Sequence, residues 1–235
     1  MRANVSDRRF EMAIIEKPSP NFGSRNGAEI SMLVLHYTGM RTAEEALQRL
    51  CDPQAQVSAH YVVEEDGTIY RLVKEQDCAW HAGLSYWRGH KNVNNISIGI
   101  EIVNPGHEFG YRPFPEIQMQ AVTLLCKDIL ARHAISDGNV VGHSDVAPQR
   151  KQDPGELFNW KGLAEQGIGL WPQEAQATEA SYAEALMAYG YAAPQTPEET
   201  IQLVKAFQRH FRPDMVNGQW DGECDRLLAG LLKML

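Results

Sequence analysis

The chain has 235 residues, of which 43% are hydrophobic and 22% are charged, and its formal net charge is −8 at pH 7. This length is sufficient for one larger domain with a small second one, and the composition is that of an ordinary globular protein. The acidic balance, without a basic run that carries interleaved aromatic residues, argues against nucleic acid as a partner.

The cysteines are widely spaced and form no CxxC pair, so we expect free thiols in a reducing compartment, with a chance disulfide as the alternative. No apolar run approaches the length of a membrane span, and the N-terminus lacks the apolar stretch of a secretory signal. We predict a cytoplasmic protein if the sequence is complete, and a periplasmic or outer-membrane-associated one if a signal was trimmed. A monomer is the favoured state.

The first part of the chain predicts an irregular lead-in followed by a strand. Residues 1–29 include a stretch rich in Pro, Gly, Ser and Asn, which is typical of irregular backbone. Residues 30–39 form the first predicted strand, in which Met32, Val34 and His36 share one face. The imidazole is therefore expected near the end of the strand, on that face.

A helix and a hairpin follow. Thr42 and Glu45 fit a capping box at the start of a short helix over residues 43–50. Two apolar runs, residues 60–65 and 68–73, flank an Asp-Gly pair, which is a strong signal for a β-hairpin turn.

The middle of the chain predicts a groove loop, a strand and a long helix. Residues 77–95 combine aromatic residues, histidines and glycines without periodicity, as functional loops do. Residues 97–103 are predicted to form a strand with isoleucines on one face and with Gly99 and Glu101 on the other. A glycine within a strand indicates that another group lies close to that face. The amphipathic helix over residues 115–133 should cover the isoleucine face through Ile117, Ala121, Leu124, Leu125 and Ile129.

Residues 139–155 pass from a short apolar strand into a polar loop that carries His143, Lys151 and Asp153. Histidine and carboxylate are both zinc ligands, and such ligands tend to lie where a rigid strand meets a loop. Lys151 would point the same way as Asp153 in an extended segment, and a cation there suits a reaction that develops negative charge. On these residues alone, a surface loop of mixed charge with a helix-capping aspartate is the favoured interpretation.

The pattern weakens from Trp160 to about Ala180, and we place a domain boundary there, between residues 1–175 and 181–235. The second domain is predicted to contain short helices over residues 182–190, 198–211 and 223–235. Strands that alternate with helices, together with one hairpin, predict an α/β fold with a central mixed sheet and helices packed on it.

Motifs that occur in a fixed order resemble those of a known family. They are His36 at a strand end, AWHAG at residues 79–83, SIGIE at residues 97–101 and GHSDVAPQRKQDPG at residues 142–155. Together they resemble the zinc-dependent N-acetylmuramoyl-L-alanine amidases related to phage-lysozyme-type amidases and peptidoglycan recognition proteins. The resemblance covers roughly residues 15–170, and it implies a sheet with helices on one face and a zinc groove on the other.

The resemblance also implies roles for individual residues. His36, His143 and Asp153 match the Zn²⁺ ligands, and three protein ligands leave the fourth position open, as in a catalytic site. Glu101 matches the acid–base residue, and Lys151 matches the residue that stabilises the oxyanion. The implied reaction is hydrolysis of the amide bond between the lactyl group of N-acetylmuramic acid and L-alanine, in peptidoglycan or in muropeptides, including 1,6-anhydro forms.

Other residues near these motifs have less specific predictions. Trp80 and His81 match the AWHAG loop and are predicted to line the groove, with a core-anchored aromatic as an equal alternative for Trp80. Arg88 could meet a stem-peptide carboxylate, although a solvated loop is the favoured interpretation. Asp145 and Arg150 are predicted to hold the loop in place rather than to act directly.

The C-terminal helices resemble, more loosely, a type 1 peptidoglycan-binding domain, chiefly over residues 201–211. The alternative function is a non-catalytic muropeptide-binding module. The complete set of matched ligands and catalytic residues argues against it, because loss of catalysis usually shows as a missing ligand. A purely structural metal is disfavoured because closed structural sites use four Cys or His ligands.

Overall fold

The structure is a computed structural model that describes residues 13–176 and 181–235. Six strands in this part of the chain form the main sheet: β1 (Ile14–Glu16), β3 (Met32–Tyr37), β4 (Tyr61–Val63), β5 (Ile69–Arg71), β7 (Ser97–Ile102) and β8 (Val140–Gly142). Their order is β1-β5-β4-β7-β3-β8. A smaller antiparallel pair joins β2 (Phe22–Ser24) to β6 (Asp77–Ala79).

The main sheet is mixed, as predicted. The strands β4 and β5 run antiparallel, whereas β1–β5, β4–β7, β3–β7 and β3–β8 run parallel. The β4–β5 hairpin turns at Asp66 and Gly67, where the glycine has a φ of 88° and Thr68 donates its backbone N–H to the aspartate. Only a glycine adopts that φ without strain, which explains the strength of the Asp-Gly signal.

The lead-in is less irregular than predicted. It contains β1 and β2, which pair with β5 and β6 at the sheet edges. Each of these strands has three residues, too few for a period-two pattern to show in the sequence. Residues 1–12 of the predicted lead-in lie outside the described residues.

The helices are α1 (Ala43–Cys51), α2 (Val93–Ile96), α3 (Gly106–Phe109), α4 (Glu116–Arg132), α5 (His143–Val146), α6 (Trp160–Glu165), α7 (Tyr182–Tyr189), α8 (Pro197–Phe211) and α9 (Gly222–Leu232). Thr42 caps α1 by accepting from the Glu45 backbone N–H, while the Glu45 carboxylate accepts from Arg41 rather than from Thr42. Among the described residues, no helix is both long and apolar enough to span a membrane.

Helix α4 covers the isoleucine face of β7, as predicted, but with a rotated inner surface. Leu125 and Ile129 are fully buried, whereas Ile117 and Leu124 remain 44% and 37% exposed. Gln118 occupies the buried side instead, and its amide donates to carbonyl groups at the ends of β4 and β7. Buried carbonyl groups need a hydrogen-bond donor. Gln118 therefore faces the core, and its neighbour Ile117, which the apolar pattern placed there, faces outward.

The other face of the sheet is shared between a groove and the C-terminal helices. Along β3, Met32 and Val34 point into a core that also contains Leu186 from α7, Phe207 from α8 and further residues of α9. His36, which is next on the same face, lies beyond this cover. Packing of the C-terminal helices thus ends where the groove begins.

Candidate metal centre and active site

Three side chains from separate parts of the sequence meet at the carboxyl end of the central strands. His36 is the penultimate residue of β3, His143 starts α5 directly after β8, and Asp153 follows in the loop. The Nδ1 atoms of the two histidines are 2.9 Å apart, and they lie 3.1 and 3.0 Å from Oδ2 of Asp153. All three side chains are buried.

A contact with the AWHAG loop determines which ring nitrogen of His143 carries the proton. Its Nε2 lies 3.1 Å from the carbonyl oxygen of Ala82, which can only accept a hydrogen bond. Nε2 therefore carries the proton, and Nδ1 presents its lone pair to Asp153.

A longer chain of hydrogen bonds fixes His36. Ser97 Oγ donates to the carbonyl of Val93 at 2.6 Å, so it must accept from Nε2 of His81, which lies 3.1 Å away. Nδ1 of His81 is then an acceptor, and it lies 3.0 Å from Nε2 of His36. His36 Nδ1 is consequently left with a free lone pair, directed at Asp153.

Two ring lone pairs and a carboxylate oxygen thus converge at about 3 Å from one another. Acceptors at this separation repel each other unless a cation lies between them. Tetrahedral zinc with ligand bonds of about 2.0–2.1 Å would place its donors roughly 3.3 Å apart. The residues present therefore fit a zinc ion.

The protonation states also suit a metal. Burial, followed by the neighbouring His143, lowers the pKa of His36 to about 4, so its ring is neutral at pH 7. Burial alone would raise the pKa of Asp153, but the adjacent imidazole rings of His143 and His36 outweigh it and hold that pKa well below its usual range. Neutral imidazole and ionised carboxylate are the forms that bind metals.

Glu101 lies beside His36 in the parallel β3–β7 register. Burial, and then the charge of Asp153, raise the pKa of its carboxyl well above the usual range, while Lys151 acts in the opposite direction. Its Oε2 atom is buried and has no hydrogen-bond partner among the described residues. Glu101 and Lys151 line one groove of about 360 Å³ together with His143, Asp153 and Trp80.

The raised pKa predicts that Glu101 destabilises the metal-free fold. Between the ordinary value of 4.5 and the raised value, the folded chain binds a proton that the unfolded chain does not, so stability falls as pH rises. Glu101→Gln removes this penalty and should raise the free energy of unfolding at pH 7 in the presence of a chelator. Denaturant unfolding of both proteins at pH 7 and pH 4 measures it. A gain of equal size at both values would contradict the argument.

The hydrogen-bond chain behind His36 predicts a second effect. Ser97→Ala removes the acceptor that fixes the ring of His81, and the lone pair of His36 is then no longer held toward the metal. We expect zinc affinity to fall by about tenfold or more. Competition with a chromophoric chelator measures it, with Ser85→Ala, at a half-buried serine just after the AWHAG motif, as the matched control. Equal affinity of Ser97→Ala and wild type would refute this ordering role.

The other residues predicted near the groove have different positions and roles. Trp80 is half-buried and faces the groove, and hydrogen bonds with Ser58 hold its backbone. His81 also borders the groove, but its ring lies against Gly99, where a Cβ atom would be 2.4 Å away. This confirms the close approach predicted for that face of β7. Arg150 holds the loop, as predicted, by donating to the Leu84 carbonyl.

Arg88 is not brought into the groove. Its Nε donates at 3.0 Å to the carbonyl of Tyr189, the last residue of α7, and its guanidinium lies over the Tyr189 ring. A cation is favourable at the carbonyl end of a helix. The predicted contact with a stem-peptide carboxylate is therefore corrected to a contact with the C-terminal helices.

The supporting roles of Ser97 and of two C-terminal residues, His210 and Tyr191, which contact Asp145, were not predicted from the sequence. The only available signal was the position of Ser97 at the start of the Glu101 strand. The other two lie more than forty residues away from Asp145. No local pattern links them.

A carboxyl with a raised pKa and an ammonium group, both beside a buried donor set that fits zinc, make up the site of a metal-dependent hydrolase. Comparison with known proteins narrows this class. A family model described as N-acetylmuramoyl-L-alanine amidase matches residues 26–156. N-acetylmuramoyl-L-alanine amidase AmiD of Escherichia coli (strain K12) is 40% identical over 95% of this chain and 91% of its own length. The chain belongs to the N-acetylmuramoyl-L-alanine amidase family.

Solved structures agree over most of the chain. The complex of AmiD from E. coli with the substrate anhydro-N-acetylmuramic acid-L-Ala-D-gamma-Glu-L-Lys has a TM-score of 0.79 and 40% identity, and covers 93% of both chains. AmpDh3 from Pseudomonas aeruginosa in complex with anhydromuramic pentapeptide has a TM-score of 0.81 and 35% identity, and covers 93% of this chain and 95% of that one. The predicted α/β fold is confirmed.

Proposed function

We propose that the protein is a zinc-dependent amidase that hydrolyses the bond between the lactyl group of N-acetylmuramic acid and L-alanine. The observation that carries the zinc assignment is the convergence of His36, His143 and Asp153 through three acceptor atoms. When bound there, zinc would supply Lewis acidity, which polarises a carbonyl and lowers the pKa of water. Family membership and the muropeptide complexes of the relatives support the substrate, including its 1,6-anhydro form.

Glu101 is the proposed proton carrier. Its carboxylate takes a proton from the attacking water and returns it to the nitrogen of the departing L-alanine, so the net reaction consumes one water molecule. A carboxylate with a raised pKa is a stronger base than an exposed one, and this suits it to hold the proton between the two steps.

Lys151 is proposed to stabilise the negative charge that develops on the carbonyl oxygen. Lys151→Met keeps most of the side-chain volume but removes the cation. We expect kcat to fall about a hundredfold to a thousandfold with little change in KM. A higher KM at unchanged kcat would instead make Lys151 a clamp for a substrate carboxylate.

The residues of the proposed chemistry all lie within the predicted first domain, residues 1–175. Residues 181–235 are proposed to form the second, peptidoglycan-binding-like unit. The end of the boundary segment, residues 177–180, lies outside the described residues.

Mass spectrometry of muropeptides incubated with the zinc-loaded protein tests the function directly. The expected products are the free stem peptide and the N-acetylmuramic acid sugar, from substrates with and without the 1,6-anhydro ring. Binding without cleavage in a zinc-loaded sample would favour the non-catalytic muropeptide-binding module.

A further inference from the structure

Asp145 is a buried carboxylate inside the segment that supplies two of the proposed metal ligands. It lies in α5, two residues after His143, and is 1% exposed. Its Oδ2 accepts a hydrogen bond of 2.7 Å from the backbone N–H of Gly142, the residue that joins β8 to His143. The position of this carboxylate therefore sets how the chain leaves the sheet toward the metal centre.

Two side chains from the C-terminal helices hold the same carboxylate. His210 of α8 donates from Nδ1 to Oδ2 at 2.7 Å, and the hydroxyl of Tyr191 donates to Oδ1 at 2.7 Å. His210 is also stacked on Trp160, with ring centroids 3.9 Å apart. Both donors are almost completely buried, so loss of either leaves part of a buried charge without a partner.

Helix α8 also contacts the rest of this segment. Arg209 donates to the Gln152 side chain at 3.3 Å, next to Asp153. The backbone N–H of Ser144 in turn donates to the Asp153 carbonyl at 2.9 Å, which closes the segment on itself. Residues 142–153 are thus held from the side of α8 at more than one point, and both His143 and Asp153 belong to this segment.

We propose that His210 and Tyr191 are positioning residues for the metal centre. By holding Asp145 they fix residues 142–153, and so place the ligand atoms of His143 and Asp153 at the separation that zinc requires. The C-terminal helices are therefore a structural part of the metal site, in addition to any contact with polymer. This inference rests on the proposed zinc function.

Paired substitutions in the full-length protein test it. His210→Gln moves the side-chain amide away from the position of Nδ1, whereas His210→Asn keeps a donor near that position. Tyr191→Phe removes one hydroxyl from Asp145. Tyr189→Phe makes the same chemical change in the same core, at a residue that, among the described residues, makes no hydrogen bond to Asp145.

The measurements are the dissociation constant for Zn²⁺, by chelator competition, and the visible absorption spectrum of the Co²⁺-substituted protein. We expect His210→Gln and Tyr191→Phe to weaken zinc binding about tenfold to a hundredfold and to alter the cobalt spectrum. His210→Asn and Tyr189→Phe should stay close to wild type. If His210→Gln does not fold, the Tyr191 and Tyr189 pair decides alone.

The possible failures are distinguishable. Lower stability of the metal-free variants, with wild-type zinc affinity and an unchanged cobalt spectrum, would overturn the positioning role and leave the zinc assignment intact. A wild-type protein that binds no zinc would overturn the zinc assignment and this inference with it.

Discussion

Replacement of Glu101 by glutamine is expected to lower kcat by about two to four orders of magnitude, because the amide keeps the shape of the side chain but cannot take a proton. Zinc content and muropeptide affinity should stay near wild type, since Glu101 is not among the three clustered donor residues. Single-turnover kinetics on a soluble muropeptide, with zinc content measured on the same sample, separates these quantities.

The matched control is Glu64→Gln, the same chemical change at a half-buried carboxylate directly after β4. It should leave kcat unchanged. A kcat for Glu101→Gln within a factor of ten of wild type would rule out Glu101 as the proton carrier. A parallel loss of zinc would show instead that the carboxylate supports the metal.

Asp153→Asn is expected to produce the largest loss of metal affinity. It keeps the volume of the side chain but removes the anionic donor from between His36 and His143. Mutation of a residue that hydrogen-bonds a metal ligand typically lowers metal affinity about tenfold to a hundredfold. Loss of a ligand itself should lower zinc affinity by more than that. Amidase activity should fall in proportion to the metal lost, and added Zn²⁺ should restore part of it.

Asp128→Asn, on the exposed side of α4, is the corresponding control and should bind zinc as wild type does. Chelator treatment of wild-type protein should reproduce the Asp153→Asn loss, reversibly. Full turnover in a sample verified to be free of metal would refute a zinc-dependent mechanism for this protein.

The sequence predicted those parts of the fold that depend on local patterns. The Asp-Gly hairpin, the β3 strand that ends near His36 and the isoleucine face of β7 follow from turn chemistry and alternation. The rotation of α4 was not predictable, because the choice of Gln118 over Ile117 depends on carbonyls contributed by distant strands.

In the candidate site, too, features set by tertiary contacts could not be predicted from local sequence patterns. From residues alone, the loop that carries His143 and Asp153 was best interpreted as a mixed-charge surface loop, and only the family resemblance singled out its ligands. The position of Arg88 depends on a carbonyl a hundred residues away, at the end of α7. The contact between His210 and Asp145 is likewise a product of tertiary packing that no motif encodes.

The core that β3 shares with the C-terminal helices has a consequence for how the enzyme meets a large substrate. Two modules joined by a flexible linker gain an effective concentration that depends on linker length. Here Met32 and Val34 lie in one buried core with residues of α7 and α8, which is not the arrangement of two tethered modules. If the helices bind a glycan strand, its distance from the groove is fixed by the shared core. It does not vary with the conformation of a linker.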